Sequence, residues 1–70
     1  MTIKLEDLKE QIEILKSVND KWYDGVVKRI NENESLDVEC KQNDIKCSRS
    51  NWRGFKQALE HIEYFLKLYE

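Results

Sequence analysis

Apolar residues recur every three or four positions along the first third of the chain, and this spacing predicts an amphipathic helix. Glu6 and Asp7 would lie in its first turn, where the helix dipole favours negative charge, and Thr2 is the predicted N-cap. The apolar stripe of this helix consists of Leu5, Leu8, Ile12, Leu15, Val18 and Trp22.

Asn19 lies in the middle of this stripe and allows two interpretations. With Asn19 and Val26 added, the stripe also fits heptad a and d positions, where one buried Asn fixes the register and the number of partner helices. We favour the other interpretation, in which Asn19 lies at a locally solvated edge of a globular core.

Gly25 decides where the first helix ends. A helix that continues to Ile30 would carry an interior glycine, at a cost of about 1 kcal/mol. In the interpretation that we favour, Gly25 is instead the left-handed C-cap, and residues 26–30 form a strand rich in β-branched side chains.

Alternation of apolar and polar residues predicts a β-hairpin in the middle of the chain. Residues 31–35 have the composition of a turn, and Gln42 and Asn43 form a second turn between the two strands. The apolar side of this hairpin consists of Leu36, Val38, Cys40, Ile45 and Cys47.

The end of the chain returns to helical spacing. Ser48 or Ser50 is the predicted N-cap of this last helix. Its apolar stripe consists of Trp52, Phe55, Leu59, Ile62, Leu66 and Tyr69.

Together these elements predict an α+β fold for one small domain that spans residues 1–70. The favoured order is α-β-β-β-α, and α-β-β-α is the runner-up. We expect both helices to pack on one face of the antiparallel sheet, because that arrangement buries the apolar side of every element.

Composition favours a small intracellular protein. The net charge is −2 and the chain contains no Pro. It contains no apolar run long enough to span a bilayer, and its first residues lack the apolar core of a signal peptide. We therefore expect a cytoplasmic location with reduced cysteines. The abundance of Lys, Glu, Asn and Ile is typical of AT-rich genomes, such as those of low-GC bacteria and their phages, and a small chain of this composition suggests a phage or mobile-element accessory protein.

The chain offers little chemistry for catalysis. Its single histidine, His61, would face away from the apolar stripe of the last helix. Cys40 and Cys47 would lie on the apolar side of the sheet, and their spacing is not that of a structural zinc site. No phosphate-binding loop or nucleophile elbow occurs. We therefore expect no enzyme activity, no cofactor and no metal.

A basic cluster is predicted at the start of the last helix. Cations at a helix N-terminus oppose the helix dipole, so their presence there suggests an anionic partner. The alternative is that Trp52 belongs to the core and the cations pair with nearby acids such as Glu60. The cluster consists of Arg49, Arg53 and Lys56, with Lys46 from the preceding strand.

Apolar residues outside the two stripes suggest a second kind of contact. Ile14 lies outside the stripe of the first helix, and Tyr64 and Leu68 lie outside that of the last. A domain of this size has little core of its own, so such residues favour a homodimer or a complex with another protein.

Two function hypotheses follow. The first is a non-enzymatic protein-interaction module (a regulator, adaptor or inhibitor) that binds through one helix face. The second is a nucleic-acid-binding module, because the predicted element order resembles that of double-stranded-RNA-binding domains, which place basic residues at the start of their last helix. This resemblance covers the element order alone. We favour the first hypothesis, because the net charge is acidic.

Overall fold

The computed structural model describes residues 4–69, which form a hairpin of two long helices. Helix α1 comprises Leu5–Glu32 and helix α2 comprises Val38–Lys67. A loop of residues 33–37 joins them, and the hairpin measures 51 × 18 × 15 Å. The predicted α+β fold is wrong, because residues 4–69 contain no strand.

A seven-residue spacing explains why two helices form and why they pair. The same spacing continues through both, so each helix keeps one stripe turned toward the other along its whole length. The central residues of this helix–helix seam are Leu5, Ile12, Asn19 and Val26 on α1, and Ile45, Trp52, Leu59 and Leu66 on α2.

Gly25 is neither a C-cap nor the start of a strand. Helix α1 continues through it to Glu32, and no residue of the described chain has a positive φ. Val26 and Ile30 are half-buried in the seam, so packing against α2 outweighs both the β propensity of this segment and the cost of the glycine.

The predicted β-hairpin is the first part of α2. The apolar residues of this segment also fit a helical spacing, in which Val38 is followed at seven-residue steps by Ile45 and Trp52. The cap of α2 is Asp37, whose Oδ1 accepts a hydrogen bond from the backbone N–H of Cys40 at 2.8 Å. This bond lowers the pKa of the Asp37 carboxyl.

Neither predicted N-cap of the last helix caps it. Ser48 and Ser50 lie inside α2, and the hydroxyl of Ser50 donates to the carbonyl oxygen of Lys46, one turn earlier, at 3.2 Å. Thr2, the predicted cap of α1, lies outside the described residues.

The two cysteines do not contribute to a core. Cys40 and Cys47 are free and exposed on α2. Seven residues of helix separate them by about 10 Å along the axis, which is too far for a disulfide within one chain.

The hairpin has a very small core. Among residues 4–69 only Ile12, Asn19 and Leu59 are buried, with exposed fractions of 5%, 8% and 4%. Neither described helix is long and apolar enough to cross a membrane. Most of the large apolar side chains therefore stay partly in contact with solvent, and their positions define the candidate site.

Candidate protein-interaction surface

The two edges of the seam differ in chemistry. On α1, the positions four residues after Ile12 and Asn19 hold Lys16 and Tyr23, whereas the positions three residues after them hold Leu15 and Trp22. The first set lies along one edge of the seam and the second along the other. We call these the polar edge and the apolar side.

Two aromatic rings close the polar edge near its middle. The rings of Tyr23 and Trp52 stack with their centroids 5.3 Å apart. The indole N–H of Trp52 donates to Asp20 at 2.8 Å, and Nε of Arg49 donates to the Tyr23 hydroxyl at 3.2 Å. Nζ of Lys56 lies 5.0 Å from the centre of the Trp52 ring. The polar atoms of this edge therefore find partners within the chain.

An ion pair continues the polar edge toward the chain ends. Lys16 contacts Glu63 across the seam, and its Nζ also lies 3.5 Å from Glu13 one turn away. The hydrogen bond between Lys16 and Glu63 raises the pKa of the lysine and lowers the pKa of the glutamate. The pair thus links the two helices at a defined position along the hairpin axis.

Asn19 crosses the seam instead of lying at a solvated edge. Its side-chain N–H₂ donates to the backbone carbonyl of Trp52 at 3.0 Å. A sliding of one helix along the other would break this bond inside the core, where an unpaired amide is costly. Asn19 therefore fixes the register of the hairpin.

The apolar side is an open groove between the helices. The groove has a volume of about 340 Å³ and is lined by Leu15, Val18, Asn19, Trp22, Asn51 and Phe55. Leu15, Trp22 and Phe55 are exposed by 42%, 43% and 45%. Leu8 and Ile62, each one heptad from a groove residue, extend the apolar side toward the chain ends, and both are exposed.

From Cys47 to Tyr69, helix α2 and the turn after it carry no acidic residue, lysine or arginine on this side. Three heptad positions face the apolar side or border it. From residue 47 onward they hold Cys47, Ser48, Asn51, Gly54, Phe55, Ala58, His61, Ile62, Phe65, Leu68 and Tyr69.

Near the loop the same side becomes charged, and Asp44 lies on it together with two cations. The position one heptad after Trp22 is Arg29, and the position two heptads before Phe55 is Lys41. Lys41 lies near Arg29 along the hairpin axis, because its Nζ donates to the backbone carbonyl of Asn31 at 2.9 Å. The apolar side is therefore confined to the half of the hairpin that lies away from the loop.

The predicted basic cluster does not lie at a helix start. Because α2 begins at Val38, its basic residues lie in the helix interior, where no free backbone N–H groups are available. Arg49 and Lys56 belong to the polar edge, whereas Lys46 and Arg53 are exposed on the outer side of α2. The structure does not bring these four residues together as an anion site.

The three predicted surplus apolar residues are all exposed. Ile14 and Leu68 lie at the outer border of the apolar side, next to Val18 and Phe65 in the heptad pattern. Tyr64 lies farther round α2, with its ring edge-on to that of Phe65 at 6.1 Å.

The main residues of the apolar side fall within the two apolar stripes, which the sequence pattern places in the core. Trp22, Phe55 and Ile62 belong to the predicted stripes, yet each remains more than two-fifths exposed. The sequence does contain one signal for this surface, which is the width of the apolar stripe. An arc of about 140° on a helix is wider than the strip that a single neighbouring helix covers.

Residues 4–69 contain no group of three or more His, Cys, Asp or Glu side chains that could hold a metal ion. Comparisons of the chain with protein families, with curated proteins and with solved structures found no match.

Proposed function

We propose that this protein is a non-enzymatic protein-interaction module, of the regulator, adaptor or inhibitor class, that binds through its apolar side. The observation that carries this proposal is the uncharged groove between the helices, with Trp22 and Phe55 exposed along it. We also propose that it acts inside the cell, a setting supported by its two free, exposed cysteines.

Energetics support a protein partner on this side. Contiguous apolar surface of this kind mostly marks an interaction site, and large aromatic side chains supply much of the binding energy at protein interfaces. An apolar groove between two helices accepts further helices by the same packing of ridges into grooves that joins α1 to α2.

The nucleic-acid hypothesis has lost its structural support. It relied on an element order with three strands and on basic residues at the start of the last helix, whereas residues 4–69 form two helices and Arg49 and Arg53 lie inside α2. We therefore propose no nucleic-acid partner.

Site-specific photo-crosslinking in growing cells tests the proposed function. We expect p-benzoylphenylalanine in place of Phe55 to capture a polypeptide that mass spectrometry identifies. The matched control carries it in place of Arg53, two residues away on the outer side of α2. Equal capture at both positions, or no capture of any polypeptide, would show that the apolar side is not a docking surface.

A further inference from the structure

We propose that the partner on the apolar side is a second copy of this chain. In this dimer the two hairpins face each other through their apolar sides to form a four-helix bundle, with their loops at opposite ends. The inference depends on the proposed function, because it names the occupant of the same surface.

The exposed area of one hairpin supports a dimer. A compact protein of this mass exposes about 4,700 Å². This chain exposes 5908 Å², an excess of about 1,200 Å². Obligate homodimers bury about 1,000 to 2,500 Å² on each subunit. The excess exposed area of this chain therefore lies within the range that one subunit buries in such a dimer.

The shape of the apolar side also fits a second hairpin. Leu15 and Trp22 on α1 and Phe55 and Ile62 on α2 are all exposed, so both helices contribute to it. A layer of two helices covers both stripes at once, which is the packing of a four-helix bundle. A second copy is such a layer, and its matching face is equally apolar.

Charges near the loop decide the orientation. If both loops lay at the same end, α1 of one copy would face α2 of the other, and Arg29 of each copy would lie beside Lys41 of its partner. That arrangement would bury these cations, and Asp44 with them, in the interface, where charged groups carry a large desolvation cost.

With the loops at opposite ends, the apolar halves overlap, and Arg29 and Lys41 lie outside the overlap. The contact between Lys16 and Glu63 puts the neighbouring residues Leu15 and Ile62 at about the same position along the hairpin axis. Leu15 lies midway between Leu8 and Trp22 along the apolar side of α1. The two-fold axis therefore passes close to Leu15 and Ile62, so α1 packs antiparallel to α1 of the partner and α2 to α2.

Sedimentation equilibrium of the purified chain across micromolar concentrations tests the occupant. We expect a mass of about 17 kDa, twice the 8.5 kDa of one chain. A helical, cooperatively folded species of 8.5 kDa at every concentration would overturn the dimer. The proposed function would then still be judged by photo-crosslinking at Phe55, where capture of a different polypeptide alone would support it.

Pulsed electron–electron double resonance tests the orientation. The label is attached at Ser35→Cys in the loop, in a chain that also carries Cys40→Ser and Cys47→Ser, both on an exposed surface. From the helical rise we expect about 55 Å between the two labels. A separation below about 25 Å, the distance for loops stacked at one end, would overturn the proposed orientation. Circular dichroism confirms that the labelled chain remains helical.

Discussion

The two tryptophans differ in what surrounds them: Trp52 lies in the seam with its ring turned to the polar edge, and Trp22 lies on the apolar side. Trp52 is half-buried, stacks on Tyr23 and donates its indole N–H to Asp20. Trp22 is 43% exposed and lines the open apolar groove. One ring has its contacts within the chain, whereas the other has an apolar face that residues 4–69 leave exposed.

This difference separates the contacts that hold the hairpin together from the surface that binds. The polar edge and Asn19 set the register of α1 against α2, since their hydrogen bonds join specific residues. The apolar side contains little that specifies the fold, but its burial would remove most of the exposed aromatic area. Substitutions on the two edges should therefore change different measurements.

The largest effect is expected at Trp22. Trp22→Lys places a charge in the proposed interface and removes its largest side chain, so the dimer dissociation constant should rise at least about 30-fold. Sedimentation equilibrium measures the constant. Trp52→Phe is the matched control, because it changes the other tryptophan and should leave the mass of the dimer unchanged.

The opposite result would contradict the roles proposed for the apolar side and the polar edge. If Trp22→Lys left self-association unchanged and Trp52→Phe abolished it, the interface would lie on the polar edge. Circular dichroism at the same concentrations separates loss of the dimer from loss of helix, which matters because a hairpin with so small a core gains stability from any partner that it binds.

A smaller effect is expected on the polar edge. Trp52→Phe removes the hydrogen bond to Asp20 but keeps an aromatic ring beside Tyr23, and it should lower the free energy of unfolding by about 1 kcal/mol. Urea denaturation at one fixed protein concentration measures this change. Asp20→Ala completes a double-mutant cycle, and fully additive effects of the two changes would show that the bond contributes nothing.

Gly25→Ala should have a smaller effect still, and its sign tests the fold. A Cβ added at Gly25 meets no other atom within 4 Å, and the residue lies inside α1. Alanine should therefore raise the free energy of unfolding by about 0.5–1 kcal/mol. Were Gly25 a left-handed cap, the same change would destabilise the protein. Gly54→Ala, inside α2 and likewise with no atom of the same hairpin within 4 Å of the added Cβ, is a second test and should also stabilise.

Gly25 also shows how far the sequence alone can predict this fold. The spacing of Leu5, Ile12 and Asn19 predicted a first helix, and the same spacing reaches Val26, beyond the glycine at which the favoured prediction ended that helix. In the prediction we gave the local β propensity of residues 26–30 more weight than this seven-residue spacing. Propensity is a property of a few residues, whereas packing against α2 depends on residues about 30 positions away.

The candidate site was harder to predict for a related reason. An apolar stripe shows which side of a helix avoids water, but it does not show how much of that side the chain itself covers. Trp52 and Phe55 belong to the same predicted stripe, yet Trp52 lies in the seam and Phe55 lies in the groove. Only the placement of α1 against α2 separates these two roles, and the sequence does not specify it locally.

The smallest effect should come from the ion pair of the polar edge and should appear at acidic pH. The hydrogen bond from Lys16 lowers the pKa of Glu63 below its ordinary value of 4.5. A carboxyl whose pKa is lowered on folding stabilises the protein above its unfolded pKa, and this contribution is lost as the pH falls through the lowered value. Urea denaturation between pH 6 and pH 3 should therefore show stability falling below about pH 4.5.

Glu63→Gln isolates that contribution. Asp37 also has a lowered pKa, caused by its hydrogen bond with the backbone of Cys40, and it should produce an acid loss in both proteins. The pair formed by Lys16 and Glu63 is partly exposed, so its share should be small and should shrink further in high salt. A variant whose stability falls as steeply as that of the parent over this range would show that the ion pair adds nothing to the polar edge, leaving its hydrogen-bonded aromatic pair and Asn19 to hold the register.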